Sequence, residues 1–300
     1  MQNLAKQNNI ILSTVEHHLS SKFGLQVSIE SANSIGGGCI NNALKIKTNI
    51  GDFFLKWNAN GPADIFIREA ESLNELKKAT GDSLQIPEVV VSRIVDNTPG
   101  FLVQEYFPIQ VSNNKSEEQL GRGLAIIHKY KNENFGFYNN NYCGATTQNN
   151  TWKPNWVDFF SDNRLRFLLN LINKERPLPV SELKVYEKLL GRIPKLIPDF
   201  SDPVLIHGDL WSGNYMISTN GPVLIDPASY FADREMEFAI ITMFGGFSST
   251  FYSAYNETNP LPADWRNRNL LYQLYHVLNH YYLFGGAYQN QALAIAMRYL

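Results

Sequence analysis

The chain has only two cysteines in 300 residues, Cys39 and Cys143. Two thiols make no disulfide framework, so the core must be held by burial alone, and the pattern fits a reducing compartment. Neither sign of charge is in excess: 26 Lys and Arg stand against 28 Asp and Glu, a formal net charge of −2. A general nucleic-acid binder is usually basic, so that class is disfavoured, although a local basic pocket remains compatible. No run approaches ~18 uncharged apolar residues, so no transmembrane helix is expected. The opening MQNLAKQNNIILSTVEHHLSSKF lacks the apolar h-region of a secretory signal. No internal repeat is found. The expectation is a cytoplasmic, soluble protein of one large or two modest domains, with no membrane or nucleic-acid partner. Oligomeric state, monomer or dimer, stays open.

What is present divides the chain into two textures. Apolar positions at helical spacing predict a helix over 11–23, with Ser13 as its cap. Alternation predicts strands over 26–32, 44–48 and 53–57. The first two are separated by the glycine-rich GGGCINNA, and NIGD (49–52) turns the chain between the last two. A helix follows over 63–80, closed by Gly81. Two more strands, 88–95 and 100–107, flank a Pro99-Gly100 turn. After Pro108 the pattern turns helical, over 116–130, 155–174, 180–192 and from 233 onward. The asparagine-rich 139–150 reads as a loop. Three short apolar segments lie around 203–226, inside the helical half. The predicted fold class is therefore α+β and bilobal. Residues 1–107 form a lobe of five antiparallel strands plus helix, and 108–300 form a larger, mostly helical lobe. A cleft between lobes is a preferred place for a small-molecule site.

The chemistry concentrates in HGDLWSGN (207–214) and the PVLID that follows. Asp209 or Asn214 alone would be unremarkable, since both types cap turns. Together with Asp226, at the end of an apolar strand, they make a set of hard oxygens. Mg²⁺ takes one or two carboxylates plus substrate phosphates. On this reading Asn214 and Asp226 are metal ligands and Asp209 accepts a hydroxyl proton. The D-x-x-x-x-N spacing with a strand-end Asp is the layout of a kinase catalytic loop. In the front half, Gly36, Gly37 and Gly38 sit in a turn that would let backbone approach phosphates. Lys56, mid-strand in FFLKW, is matched by Glu69 on the next helix. Glu71 competes as its partner but lies on another helix face.

These motifs resemble the fructosamine kinase (ketosamine-3-kinase) family, within the kinase-fold small-molecule phosphotransferases. The carrying segments are GGGCINNA, FFLKWN, REAESL, YCGATTQNN, HGDLWSGN and LIDPASYFADREMEFAI, spread over about residues 33–245. The HGDL..GN part is shared with aminoglycoside and choline kinases, so another alcohol acceptor is the alternative. Trp211, DPASY and DREMEFA point to the ketosamine branch. The resemblance implies ATP- and Mg²⁺-dependent phosphorylation of a ketosamine 3-hydroxyl, after which the unstable adduct releases its amine. It implies Asp209 as base, Asn214 and Asp226 at the metal, and Lys56 with Glu69 at the phosphates. Gln104, Glu105 and Tyr106 would meet adenine, and Trp211 and His280 the substrate. Cys39, beside the expected phosphates, is a candidate redox thiol. Ala232 stands where the family usually has Gly, and Glu237 where Asp or Glu is common. Against protein kinases, Gly208 replaces the arginine of H-R-D, Pro227 replaces the phenylalanine of D-F-G, and no A-P-E segment is present. A pseudokinase would need a lost lysine, base or metal ligand, and none is lost.

Overall fold

The structure, a computed structural model, describes residues 2–36, 41–95, 99–111, 114–198 and 200–300. Gly37, Gly38 and Cys39 therefore lie outside the described residues. Helix α1 (Gln2–Phe23) is followed by β1 (Ile29–Ser34), β2 (Asn42–Thr48), β3 (Gly51–Asn58), α2 (Ile65–Thr80), β4 (Val89–Arg93) and β5 (Gly100–Glu105). The five strands form one antiparallel sheet in the order β1-β2-β3-β5-β4. Ile11, Val15 and Leu19 recur every four residues along α1, so one face of the helix is apolar. That face packs on Leu44, Ile46, Leu55, Trp57, Phe101 and Val103 to close the smaller core. Ser13 lies inside α1 and does not cap it, because the helix begins nine residues before the apolar periodicity does.

Period-2 alternation places Lys56 between Leu55 and Trp57, on the opposite face of β3. The sheet thus buries two apolar side chains in the α1 core and turns the lysine away from it. Helix α2 packs differently from α1. Phe66, Leu73 and Leu76 join the main core with Leu84, from the connection after α2, and with Leu120 and Leu124, which belong to the helical part of the chain.

That part comprises α3 (Asn114–Ile127), β6 (Asn141–Cys143), β7 (Thr146–Gln148), α4 (Trp156–Asp158), α5 (Phe167–Glu175), α6 (Val180–Leu190) and α7 (Ile193–Leu196). Four short strands follow, β8 (Val204–Ile206), β9 (Tyr215–Ser218), β10 (Gly221–Leu224) and β11 (Tyr230–Ala232), then α8 (Glu235–Met243), α9 (Ser249–Thr258), α10 (Trp265–Phe284) and α11 (Tyr288–Arg298). The ribbon β9–β10 reaches the front of the molecule by backbone bonds. Gln85 N–H donates to the Pro222 carbonyl at 3.0 Å and Gln110 N–H to Ile217 at 2.7 Å.

Two expectations are corrected here. The predicted loop 139–150 contains the hairpin β6–β7, with Asn141, Gln148 and Asn150 each no more than 2% exposed. These amides satisfy one another: Gln148 Nε2 and Asn150 Nδ2 both donate to Asn141 Oδ1, at 2.9 and 2.7 Å. Polar composition normally means exposure, but a closed set of amide bonds removes the penalty for burial. The predicted helix over 155–174 is also not uniform. It contains a π-helical stretch, Phe159–Arg166, between α4 and α5. The wider turn accompanies full burial of Arg164, whose guanidinium lies 3.8 Å from the Tyr230 ring centre and donates to the Asn149 carbonyl and to Asn150 Oδ1.

Candidate active site

Loop 207–214 leaves β8 and enters β9, and loop 225–229 leaves β10 and enters β11. The two loops are stitched together. Ala228 N–H donates to the His207 carbonyl at 2.9 Å, Ile225 N–H donates to the Asn214 carbonyl at 3.1 Å, and His207 Nε2 lies 2.9 Å from the Ile225 carbonyl. Beneath them sits Glu237, fully buried on α8. Its carboxylate accepts from the backbone N–H groups of both His207 and Gly208, the latter at 3.1 Å. Helix α8 thereby fixes the two residues before Asp209. The sequence pointed to Glu237 only as a departure from the family. The signal that finds it is an acidic residue inside the apolar run MEFAIITM, where an unpaired charge would be prohibitive. Burial lowers the pKa of His207 and of the neighbouring His128 against the upward pull of Glu237, which favours the neutral ring in both.

Gly208 has φ +84°, and a Cβ there would lie 2.3 Å from the Ala228 carbonyl oxygen. Only glycine fits where the two loops cross. Gly208→Ala is expected to cost about 2 kcal/mol or more, from the left-handed backbone plus the clash. It should also lower turnover, because the loop carries Asp209. Thermal denaturation and kinetics on the same preparation check both.

The structure brings most of the predicted side chains into one cleft of about 730 Å³, within the usual range for small-molecule sites. Lys56 Nζ lies 2.8 Å from Glu69 Oε1, the pair the family resemblance implied. Glu71 instead pairs with Arg68 at 2.8 Å. A second partner was not foreseen: Asp226 Oδ1 is 2.7 Å from the same ammonium. Burial alone pulls the Lys56 ammonium down, but Asp226 and Glu69 outweigh it and the net shift is upward. Asp226 is the only described non-glycine residue with positive φ, +57°, a conformation Asp tolerates better than most residues.

Asn214 donates from Nδ2 to both the backbone carbonyl and Oδ2 of Asp209, at 2.8 and 2.9 Å. That leaves its carbonyl oxygen for another group. Burial, then the Asp226 carboxylate, push the Asp209 carboxyl up to about 8 against the pull of Asn214. Gly36, Gln104, Glu105 and Tyr106 line the front of the cleft; Asp209 and Trp211 line the back. His280 is not among the lining residues. It stands two ring contacts from Trp211, through Phe244, at 5.1 and 5.5 Å between centroids. Arg68, Asn141 and Tyr142 line the cleft too, although the sequence reading had given them no role. Cys143 is a free, buried thiol raised well above its ordinary pKa by burial and by Asp209.

A sheet carrying a buried Lys–Glu pair, set over two loops that bear Asp209, Asn214 and Asp226, is the fold of the kinase-like phosphotransferases. The chain belongs to the fructosamine kinase family, whose pattern it matches over residues 11–300. It is 37% identical over 284 residues to a rice (Oryza sativa subsp. indica) protein named protein-ribulosamine 3-kinase, chloroplastic, covering 92% of this chain and 81% of that protein. A solved Thermobifida fusca structure with a provisional fructosamine-3-kinase name superposes with a TM-score of 0.84 at 28% identity, covering 95% and 98% of the two chains. An aminoglycoside phosphotransferase in ternary complex with AMP-PNP and hygromycin B shares the fold, with a TM-score of 0.59 at 14% identity over 95% and 98%.

Proposed function

We propose that this chain is an ATP- and Mg²⁺-dependent kinase acting on the 3-hydroxyl of ketosamines, adducts of a sugar with an amine, and thus serves deglycation. One observation carries the reading. Lys56, Glu69 and Asp226 converge at the front of a cleft whose back holds Asp209, Asn214 and Trp211. ATP supplies the phosphoryl group and Mg²⁺ the charge that offsets it.

The residues suit such a cation. The free carbonyl oxygen of Asn214 and the Asp226 carboxylate are hard donors. Among the described residues no group of three His, Cys, Asp or Glu forms a ready-made cage. A cation that takes one or two carboxylates and leaves the rest of its shell to phosphates and water needs no more.

In this reading Lys56 holds phosphate oxygens and Glu69 keeps the lysine extended towards them. The glycine turn at Gly36 covers the phosphates, and the strand end Gln104–Tyr106 meets adenine. Asp209 accepts the proton of the acceptor hydroxyl. Trp211 borders the sugar, with His280 further out along the aromatic row. We place the division between the lobes at Pro108. We assign the protein to the cytoplasm on its thiol content, and no described helix is long and apolar enough to cross a membrane.

The test is ATP consumption with Mg²⁺ against ribuloselysine, fructoselysine, kanamycin, choline and no acceptor. Ketosamine-dependent turnover is expected. Turnover with kanamycin or choline alone would move the acceptor class and sink the ketosamine assignment.

A further inference from the structure

The hairpin β6–β7 and the segment 130–139 before it grip helix α2. Tyr142 Oη donates to Asp64 Oδ1 at 2.7 Å, and Asn139 Nδ2 reaches both Glu71 oxygens at 3.2 Å. Tyr138 and Tyr130 both donate to Glu75 Oε1, at 3.4 and 3.0 Å. Arg68 ties Asp64 to Glu71 at 2.9 and 2.8 Å. Asp64, Arg68, Glu71 and Glu75 follow one another at steps of four, three and four residues. They form a single polar stripe on one side of the helix. Glu69, one residue after Arg68, projects about 100° away from that stripe, towards Lys56.

The same hairpin is fastened at its back to the loop that carries Asp226. Asn141 Nδ2 donates to the Ser229 carbonyl at 2.8 Å and Gln148 Nε2 to the Ala228 carbonyl at 3.1 Å. Lys56 therefore has two carboxylate partners from distant parts of the chain, and one hairpin holds the elements bearing both. Tyr142 and Arg68 also line the cleft beside Asp209 and Trp211.

We propose that Tyr142 is a positioning residue. Its bond to Asp64 registers Glu69 against Lys56, and an acceptor seated against Tyr142 and Arg68 tightens this grip, so acceptor and nucleotide raise each other's affinity. The acceptor half rests on the kinase reading above; the positioning half does not. Reciprocity of the two affinities is required by linkage. No modification is needed to assemble the Lys56–Glu69 pair, because the clamp is part of the fold.

Tyr142→Phe removes only the hydroxyl, and Asp64→Asn weakens the same bond from the other side. Calorimetry with Mg-AMP-PNP, without acceptor, should show binding about five- to tenfold weaker in either variant. Amide exchange over 65–80 should be faster in both. The double variant should be little worse than either single one. In turnover assays the nucleotide KM should rise. A merely structural role would lower the melting temperature and leave AMP-PNP affinity, nucleotide KM and exchange over 65–80 as in the wild type; that result overturns the proposal. If the wild type phosphorylates no ketosamine, the ketosamine reading fails, while exchange over 65–80 still decides the clamp.

Discussion

Asp209→Asn is expected to lower kcat by about 10²- to 10⁴-fold, the usual contribution of a positioned general base. The substitution preserves size and an oxygen that can accept from Asn214 Nδ2, which lies 2.9 Å from Asp209 Oδ2. Nucleotide affinity should therefore change little, and near wild-type turnover would refute the base assignment. The carboxyl, pushed up to about 8 by burial and by Asp226, is the acceptor only when deprotonated. In the free enzyme kcat/KM should rise with pH through that value and flatten above it.

The stability consequence has the opposite sign. A carboxyl raised above its unfolded value binds its proton more tightly in the folded state. The folded protein therefore loses stability as pH rises from about 4 towards 8. Asp209→Asn removes that loss, so the variant should be more stable than the wild type above pH 8 and inactive there. Asp209 is partly open to the cleft and water screens it, so the gain is about 1–2 kcal/mol, less than a sealed carboxylate would give. Melting curves at pH 5 and pH 8.5 check the sign.

Asp226→Ala is expected to weaken Mg²⁺-dependent nucleotide binding by about 10²-fold, roughly 3 kcal/mol, and to abolish turnover. Two functions disappear together: an oxygen ligand for the cation and one of the two carboxylates that hold Lys56. Lys56, buried at 5% side-chain exposure, keeps Glu69 and is not stranded. Alanine also tolerates the φ of +57° poorly. Asp226→Asn, which suits that backbone better, isolates the charge. If Asp226→Asn binds Mg-AMP-PNP as the wild type does, the metal role falls. If it loses binding while melting normally, the loss belongs to the site rather than to the fold.

In the front sheet β2 was readable because its buried Leu44, Ile46 and Thr48 alternate with the more open Lys45 and Lys47, a period of two. Helix geometry showed only that Glu69 and Glu71 face different ways; the family resemblance named Glu69 as the partner of Lys56, and the structure pairs them. The local set Asp209, Asn214 and Asp226 was readable because its spacing is short and its residue types are out of place between apolar strands. The hairpin at 141–148 was not readable. Its amides are buried only because Asn141, Gln148, Asn150 and Arg164 satisfy one another across the chain, and composition carries no record of such pairing. The π-helical stretch was hidden for the same reason: its residues have helical spacing whichever turn they adopt.

The sequence by itself determined the α+β class, the resemblance to the family, a mid-strand lysine with a candidate glutamate on the next helix, and the set Asp209, Asn214 and Asp226. The class and the oxygen set depend on local periodicity and short spacing, which neighbouring residues encode, and the family on motifs that resemble it. Tertiary structure alone decided that Lys56 answers to Asp226 as well as Glu69, that Glu237 anchors the catalytic loop from below, that His280 stands back from the cleft, and that one hairpin joins α2 to loop 225–229. Those are contacts between residues 30 to 170 positions apart. They exist only once the chain has closed on itself, because such pairings depend on where packing places each element and not on any residue's neighbours.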